Sequence, residues 1–144
     1  MAALQTVLDQ LTHPDAHHRS QAALALGKLE ATSGLEALLA ALTVEADVMV
    51  REDITWALVQ KGQAAVEPLV SLLQHPQAEV RHHAAHVLGK LHHPHAVDGL
   101  CAALHDTSPV VAQKAAFALS QIGDERALPC LVGVLGHPVL EVRE

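Results

Sequence analysis

Apolar residues recur along the chain at the spacing of an amphipathic helix. In the stretch 78–91 they are Val80, Ala84, Val87, Leu88 and Leu91. On a helix with 3.6 residues per turn, these positions form a single stripe. Polar residues occupy the opposite side, so the pattern predicts a helix that buries one face against a neighbouring element.

The same pattern occurs in other parts of the chain at a nearly fixed interval. Its most constant position holds Arg19, Arg51, Arg81 and Arg143, with Ala112 at the corresponding place in the fourth copy. The copies are therefore 32, 30, 31 and 31 residues apart. A fixed period in this range is typical of stacked helical repeats.

A shorter apolar segment and a turn precede each copy, so each repeat is predicted to be an antiparallel pair of helices. The predicted fold class is all-α, a right-handed α-solenoid of about four and a half repeats in a single domain, 1–144. The second helix of each pair is expected to line a concave surface. The predicted repeats, of which the last is incomplete, are approximately 2–31, 33–62, 64–92, 95–123 and 125–144.

Local signals mark several helix ends. Ser33, with Glu36 three residues later, predicts a capping box at the start of the second pair. Ser108 followed by Pro109 predicts a serine N-cap with proline at the first helical position. Gly62 predicts the end of the second helix of that second pair.

The recurrent arginines lie beside the turns within each repeat. A residue that returns in every unit usually has an architectural role, so we expect these side chains to hold the turns rather than a ligand. The expected partners are turn carbonyl groups or a nearby acid such as Asp15, Asp47 or Glu79.

The composition argues against several classes of partner and location. Charged residues make up 17% of the chain and aromatic residues 1%, which predicts an ordered core of Leu, Val and Ala. The net charge of -7 argues against a nucleic-acid partner. No apolar run is long enough to cross a membrane and no signal peptide is recognisable, so we predict no membrane association and a cytoplasmic location. Cys101 and Cys130 are expected to be small, reduced core residues.

The repeated signature Val-Arg-x-x-Ala-Ala-x-x-Leu-Gly-x-Leu, with a preceding His-Pro turn, resembles the short HEAT repeats of the phycobilisome-lyase type. The resemblance extends over nearly the whole chain, and its clearest copies are 16–29 and 78–91. It implies an all-α solenoid. The family includes bilin lyases, adaptor proteins and a di-iron hydroxylase, so the resemblance does not imply one activity.

In the hydroxylase members, His-Glu pairs that directly follow the Val-Arg position supply the iron ligands. None of the pairs at the matching positions of this chain is His-Glu, so the di-iron site is not expected. These pairs are Ser20-Gln21, Glu52-Asp53, His82-His83 and Gln113-Lys114.

A simpler metal site is the alternative that the residues themselves suggest. His82 and His86 are four residues apart on one helix face, which is a common spacing for metal ligands. Glu52 occupies the same repeat position as His82 and would complete a set of two histidines and one carboxylate. This alternative corresponds to a metal-binding HEAT-repeat protein, or to an enzyme related to the lyase or hydroxylase members.

A partner-binding surface is predicted from one position of the repeat, five residues after the arginine. We call its four residues the aromatic column, because they include the only Trp and the only Phe of the chain: Leu24, Trp56, His86 and Phe117. Glu52 and His82 lie one turn earlier on the same face. Large rings on a polar face are typical of interface anchors, although the same rings could fill gaps between repeats.

The sequence-based interpretation is therefore a non-enzymatic scaffold or adaptor, without a cofactor, that binds a protein on the concave surface through these residues. The sequence ends within a fifth copy, so we also expect part of the last apolar face to be exposed. We accordingly predict self-association through the C-terminal repeat, unless the sequence given is part of a longer chain. The residues concerned are Leu128, Leu131, Val132 and Leu135.

Overall fold

The computed structural model describes residues 2–135, and the side chains of residues 3–133. This part of the chain contains nine α-helices, two short 3-10 turns and no strand. The α-helices are α1 (Ala2–Gln10), α2 (Ala16–Gly27), α3 (Leu35–Val44), α4 (Val48–Lys61), α5 (Gln63–Leu72), α6 (Ala78–Leu91), α7 (Val97–Ala103), α8 (Pro109–Ile122) and α9 (Leu128–Leu135).

The described helices belong to two compact units, whose boundary lies between Ala65 and Val66. In the first unit α2 packs against α4, while α1 contacts α2 and α3 contacts α4. In the second unit α6 packs against α8, and α7 also contacts α8. Each unit therefore contains neighbouring helix pairs in the order that the repeated pattern predicts.

The core is built from Leu, Val, Ile and Ala, as the composition predicts. Leu26, Leu38 and Leu58 are fully buried in the first unit, and Leu88 and Leu119 in the second. No aromatic ring belongs to this core, because both Trp56 and Phe117 are exposed.

Two glycines allow the second helices of neighbouring repeats to touch. A Cβ atom added to Gly27 would lie 2.9 Å from the Cα atom of Ala57, and one added to Gly89 would lie 3.0 Å from that of Ala118. The backbone of α2 therefore crosses close to α4, and that of α6 close to α8. This close approach explains the glycine in the repeat signature.

Two of the three predicted helix-end signals are confirmed. Ser108 is the N-cap of α8 and accepts a hydrogen bond from the N–H of Val111, and Gly62 follows the last residue of α4 with φ 62°. The capping box at Ser33 is wrong. Gly34 is instead the N-cap of α3, with φ 72° and no side-chain cap. The helix thus begins one residue later than a Ser33 cap requires.

The recurrent arginines hold the turns, as predicted. The Nη1 group of Arg19 donates to the carbonyl oxygens of His13 and Pro14, and that of Arg81 to the carbonyl oxygens of His75 and Pro76. Arg51 makes the same contact with its own turn. Arg143 lies outside the described residues.

The acid partners of these arginines differ from those expected. Arg19 pairs with Glu45 at 2.8 Å, and Arg81 pairs with Asp106 at 2.8 Å, so the expectation of Asp15 or Glu79 is wrong. Both acids lie in the turn of the following repeat. Arg19 and Arg81 therefore each tie their own turn to the next one, which stabilises the stacking within a unit.

A disulfide replaces the two reduced core thiols that were expected. Cys101 in α7 and Cys130 in α9 are bonded, with Cα atoms 5.8 Å apart. The two residues are 29 positions apart, close to one repeat length, so stacking brings them together. Both are half-buried, and the bond fastens α9 to α7 in the second unit.

Candidate functional site

The predicted aromatic column falls on the second helices of the four described pairs. Leu24 lies in α2 and Trp56 in α4, both in the first unit, whereas His86 lies in α6 and Phe117 in α8, both in the second. Leu24 and His86 are half-buried, while Trp56 and Phe117 are exposed. Each unit thus presents one aromatic ring at its surface.

Trp56 combines packing with exposure. Its side chain is 38% exposed, and its Cζ3 atom lies so near Gly27 that an added Cβ there would be 2.6 Å away. The indole ring therefore covers the point at which α2 crosses α4. Glu52 and Asp53 precede Trp56 by about one turn of α4, so acidic residues lie on the same side of the helix as the ring.

Phe117 is the more exposed of the two rings, at 56%. The ammonium group of Lys114, one turn earlier on α8, lies 5.4 Å from the centroid of the ring. This arrangement is a cation–π contact, and it holds a positive charge at the edge of an apolar surface. An exposed ring next to a charge is suited to binding a partner.

The structure gives no support to a metal site. Glu52 is exposed on α4 of the first unit, and His82 is half-buried on α6 of the second, together with His86. Among the described residues, no group of three or more His, Cys, Asp or Glu side chains is arranged to hold a metal ion. The set of Glu52, His82 and His86 therefore remains a prediction from the sequence.

An open cleft of about 680 Å³ lies beside the Arg19–Glu45 pair in the first unit. Its walls are largely apolar and include Leu8, Leu11 and Ala41. The guanidinium group of Arg19 already donates to Glu45 and to the carbonyl groups of its turn, so its hydrogen-bonding capacity is used within the fold. Although the cleft is large enough for a ligand, the Arg19 guanidinium group is therefore poorly available to bind a charged one.

Lys61 is a buried charged residue that the sequence analysis overlooked. Its side chain is 2% exposed, and its Nζ atom donates to the carbonyl oxygens of Leu26, Leu29 and Glu30 at 2.6, 3.3 and 2.8 Å. Leu26 lies in the last turn of α2, and Leu29 and Glu30 follow its C-terminus, where the negative pole of the helix favours a cation. Burial of the ammonium group lowers the pKa of Lys61 below its ordinary value of 10.5.

The fold and the repeated contacts define a class of protein: an all-α repeat protein of the solenoid type, with arginine-tied turns. The chain belongs to the HEAT repeat family, because the model described as HEAT repeats matches residues 1–59 and 65–144. The model described as PBS lyase HEAT-like repeat matches residues 50–75. The predicted fold class and the predicted phycobilisome-lyase type of repeat are confirmed.

Two relatives connect this type of repeat with bilin chemistry. The bilin biosynthesis protein PecE of Mastigocladus laminosus is 47% identical over 62 residues, which are 42% of this chain and 23% of PecE. The structure of the CpcE–CpcF complex of phycocyanin lyase from Nostoc sp. PCC7120 is similar over 97% of this chain and 60% of the lyase chain, with 28% identity and a TM-score of 0.62. The chain thus spans less than two thirds of either relative.

An engineered protein shares the fold, with 23% identity and a TM-score of 0.53 over 99% of this chain and 76% of its own. At this identity the similarity concerns the fold alone. The two bilin-related proteins, in contrast, bear on function. They contradict the prediction of a protein without enzymatic activity, because they are named as a bilin biosynthesis protein and as part of a lyase.

No helix within residues 2–135 is both long enough and apolar enough to cross a membrane.

Proposed function

We propose that the chain is a component of a bilin-lyase-type enzyme, which acts on a bilin together with a second protein. The observation that carries this proposal is the similarity to the CpcE–CpcF complex, which extends over 97% of the chain. The identity to PecE over 62 residues supports the same chemistry. Because the complex contains two different proteins, the proposal includes a protein partner.

The aromatic column is the proposed contact surface for that partner. Trp56 and Phe117 are its anchors, since both expose a large apolar ring on a second helix, and Leu24, Glu52, His82 and His86 are its neighbours. Exposed rings of this kind contribute a large share of binding energy in protein interfaces. Binding on a concave face stays a prediction made from the repeat.

An attachment assay tests the proposal directly. The chain replaces either CpcE or CpcF of Nostoc in a reaction that contains the other subunit, a bilin and apo-phycocyanin. Bilin that stays bound to phycocyanin after denaturation is measured by absorbance. Attachment above that of a reaction without the chain is expected in one of the two combinations. Background attachment in both combinations contradicts the proposal.

Three further expectations accompany the proposal as predictions. The cytoplasmic location is one, and the absence of a nucleic-acid partner is another. Self-association through the C-terminal repeat is the third. It is supported by Leu128 and Val132, which are exposed on α9, whereas Leu131 is half-buried. The side chain of Leu135 lies outside the described residues.

A further inference from the structure

Two exposed rings at the same repeat position have opposite electrostatic surroundings. On α4 of the first unit, Trp56 follows Glu52 and Asp53 by one turn. On α8 of the second unit, Phe117 follows Gln113 and Lys114 by one turn. The repeat therefore provides an internal comparison, in which the same location is acidic in one unit and basic in the other.

The basic surroundings of Phe117 extend from α8 to α6. Lys114 is half-buried with its ammonium group 5.4 Å from the centroid of the Phe117 ring, and Lys90 is exposed near the end of α6. A Cβ atom at Gly89 would meet Gln121 and Ala118, so the end of α6 lies against the last turns of α8. Lys90 follows His86 by four residues and therefore lies on the same side of α6 as His86, which holds the repeat position of Phe117.

The two helices that carry these lysines contain a single acidic residue. Helix α8 contains no Asp or Glu, and α6 contains only Glu79, at its first turn. In the same unit Asp106 is paired with Arg81, and Asp124 with Arg126. The other described acids of this unit lie on other elements: Glu67 in α5, Asp98 in α7 and Glu125 in the 3-10 turn before α9. The surface formed by Lys90, Lys114 and Phe117, which we call the basic patch, thus carries two lysines in a chain whose net charge is -7.

We propose that the basic patch binds an acidic segment of a partner protein, with an apolar side chain of that segment against Phe117. This inference rests on the proposed function, because it names the partner chemistry of the same surface. Charge complementarity selects an acidic partner, and the exposed ring selects one that also carries apolar residues. A nucleic acid is disfavoured, because the patch has two lysines and the chain as a whole is negative.

The test uses three labelled probes and fluorescence anisotropy. One probe is a synthetic peptide of Glu and Leu, the second has Lys in place of each Glu, and the third is an oligothymidylate. The full chain is expected to bind the Glu peptide in preference to the other two. Lys114→Glu is expected to weaken that binding by about five- to tenfold, since an attraction becomes a repulsion.

Matched variants separate the effect of the basic patch on affinity from the effect of the net charge of the chain. Lys28→Glu changes the net charge equally but lies at the end of α2 in the first unit, and it is expected to leave the affinity within about twofold. Phe117→Ala is expected to weaken binding about tenfold. Lys90→Glu, which alters an exposed side chain, provides a second test if Lys114→Glu fails to fold.

Several results overturn the inference. They are an equal loss of affinity in Lys114→Glu and Lys28→Glu, equal binding of the Glu and Lys peptides, no binding of either peptide, or tighter binding of the oligonucleotide. The attachment assay contains none of these probes. Failure of peptide binding with successful bilin attachment therefore refutes the acidic partner alone, whereas the reverse result refutes the lyase proposal alone.

Discussion

At the scale of single residues, the clearest structural feature is the ammonium group of Lys61, buried against carbonyl groups at and just beyond the C-terminus of α2. Lys61→Met keeps the aliphatic stem but removes the donor, so three carbonyl oxygens lose a hydrogen bond. We expect the free energy of unfolding to fall by about 1–3 kcal/mol. Urea unfolding followed by circular dichroism measures this change.

Lys28→Met is the matched control, because Lys28 is exposed at the end of the same helix. It is expected to change stability by less than about 0.5 kcal/mol. Equal effects of the two substitutions would show that the Lys61 contacts contribute nothing to stability beyond the charge.

The sequence did contain a signal for the burial of Lys61. The matching positions of the other repeats hold Leu29, Leu91 and Ile122, and a lysine in an apolar position needs a partner.

Asp106 gives a prediction about pH. Burial opposes ionisation of its carboxyl group, but the hydrogen bonds from Arg81 and the Ser108 N–H, with the charge of Arg81, together outweigh it and hold the pKa below 3.8. A lowered carboxyl pKa stabilises the fold above the unfolded value, and this contribution is lost as the pH falls through the folded one. The wild type should therefore lose stability as the pH falls below about 4.

Asp106→Asn removes this titration. The variant should be less stable than the wild type at neutral pH, and the difference should shrink below about pH 4. Thermal melting at a series of pH values measures both curves. A difference that is the same at neutral and acidic pH would refute a role for the Asp106 charge.

At the scale of the helices, the crossing of α2 and α4 depends on Gly27. A Cβ atom there would lie 2.6 Å from the Trp56 ring and 2.9 Å from the backbone of Ala57, so one of the two helices must move. Gly27→Ala is expected to cost about 1–3 kcal/mol of stability and to shift the emission of the single tryptophan.

Gly133→Ala is the control, because an added Cβ at Gly133 in α9 meets nothing within 4 Å. Alanine has the higher helix propensity, so this change is expected to be neutral or to stabilise by up to about 1 kcal/mol. A loss of stability in Gly133→Ala as large as in Gly27→Ala would refute the crossing as the cause.

The helices themselves were predictable, because the apolar period of 3.6 is repeated in each copy. The contacts between repeats were harder to predict from the sequence. The carboxylate that pairs with Arg19 is Glu45, which is 26 residues away in the turn of the next repeat. Proximity along the sequence had indicated Asp15 instead. At the start of α3, Gly34 adopts a positive φ and shifts the cap by one residue from Ser33.

At the scale of the whole molecule, the disulfide ties the last described helix, α9, to α7 within the second unit. Replacement of Cys101 and Cys130 by serine releases a segment of 29 residues from this constraint, and we expect a loss of about 2–4 kcal/mol. Melting of the wild type with and without a reductant measures the same effect. A melting temperature that is unchanged by both the reductant and the double substitution would refute the link.

The disulfide could be predicted only from the stacking of neighbouring repeats, and not from either cysteine alone. Two cysteines separated by nearly one repeat length lie side by side in a stack, although each alone fits an apolar helical pattern.

The function could also be predicted only in part from the sequence. The repeat signature identified the phycobilisome-lyase type, but the residues contain no catalytic constellation that distinguishes an enzyme from a scaffold, so the comparison with the lyases was needed.

Phe117→Ala in the attachment assay is the most direct measurement of the central claim. The ring is 56% exposed, so its removal is expected to reduce the rate of bilin attachment about tenfold while changing stability by less than about 0.5 kcal/mol. Val110→Ala, at a side chain 58% exposed on the same helix, should leave both unchanged. Attachment by Phe117→Ala at the wild-type rate, or a loss shared equally by Val110→Ala, would contradict the account.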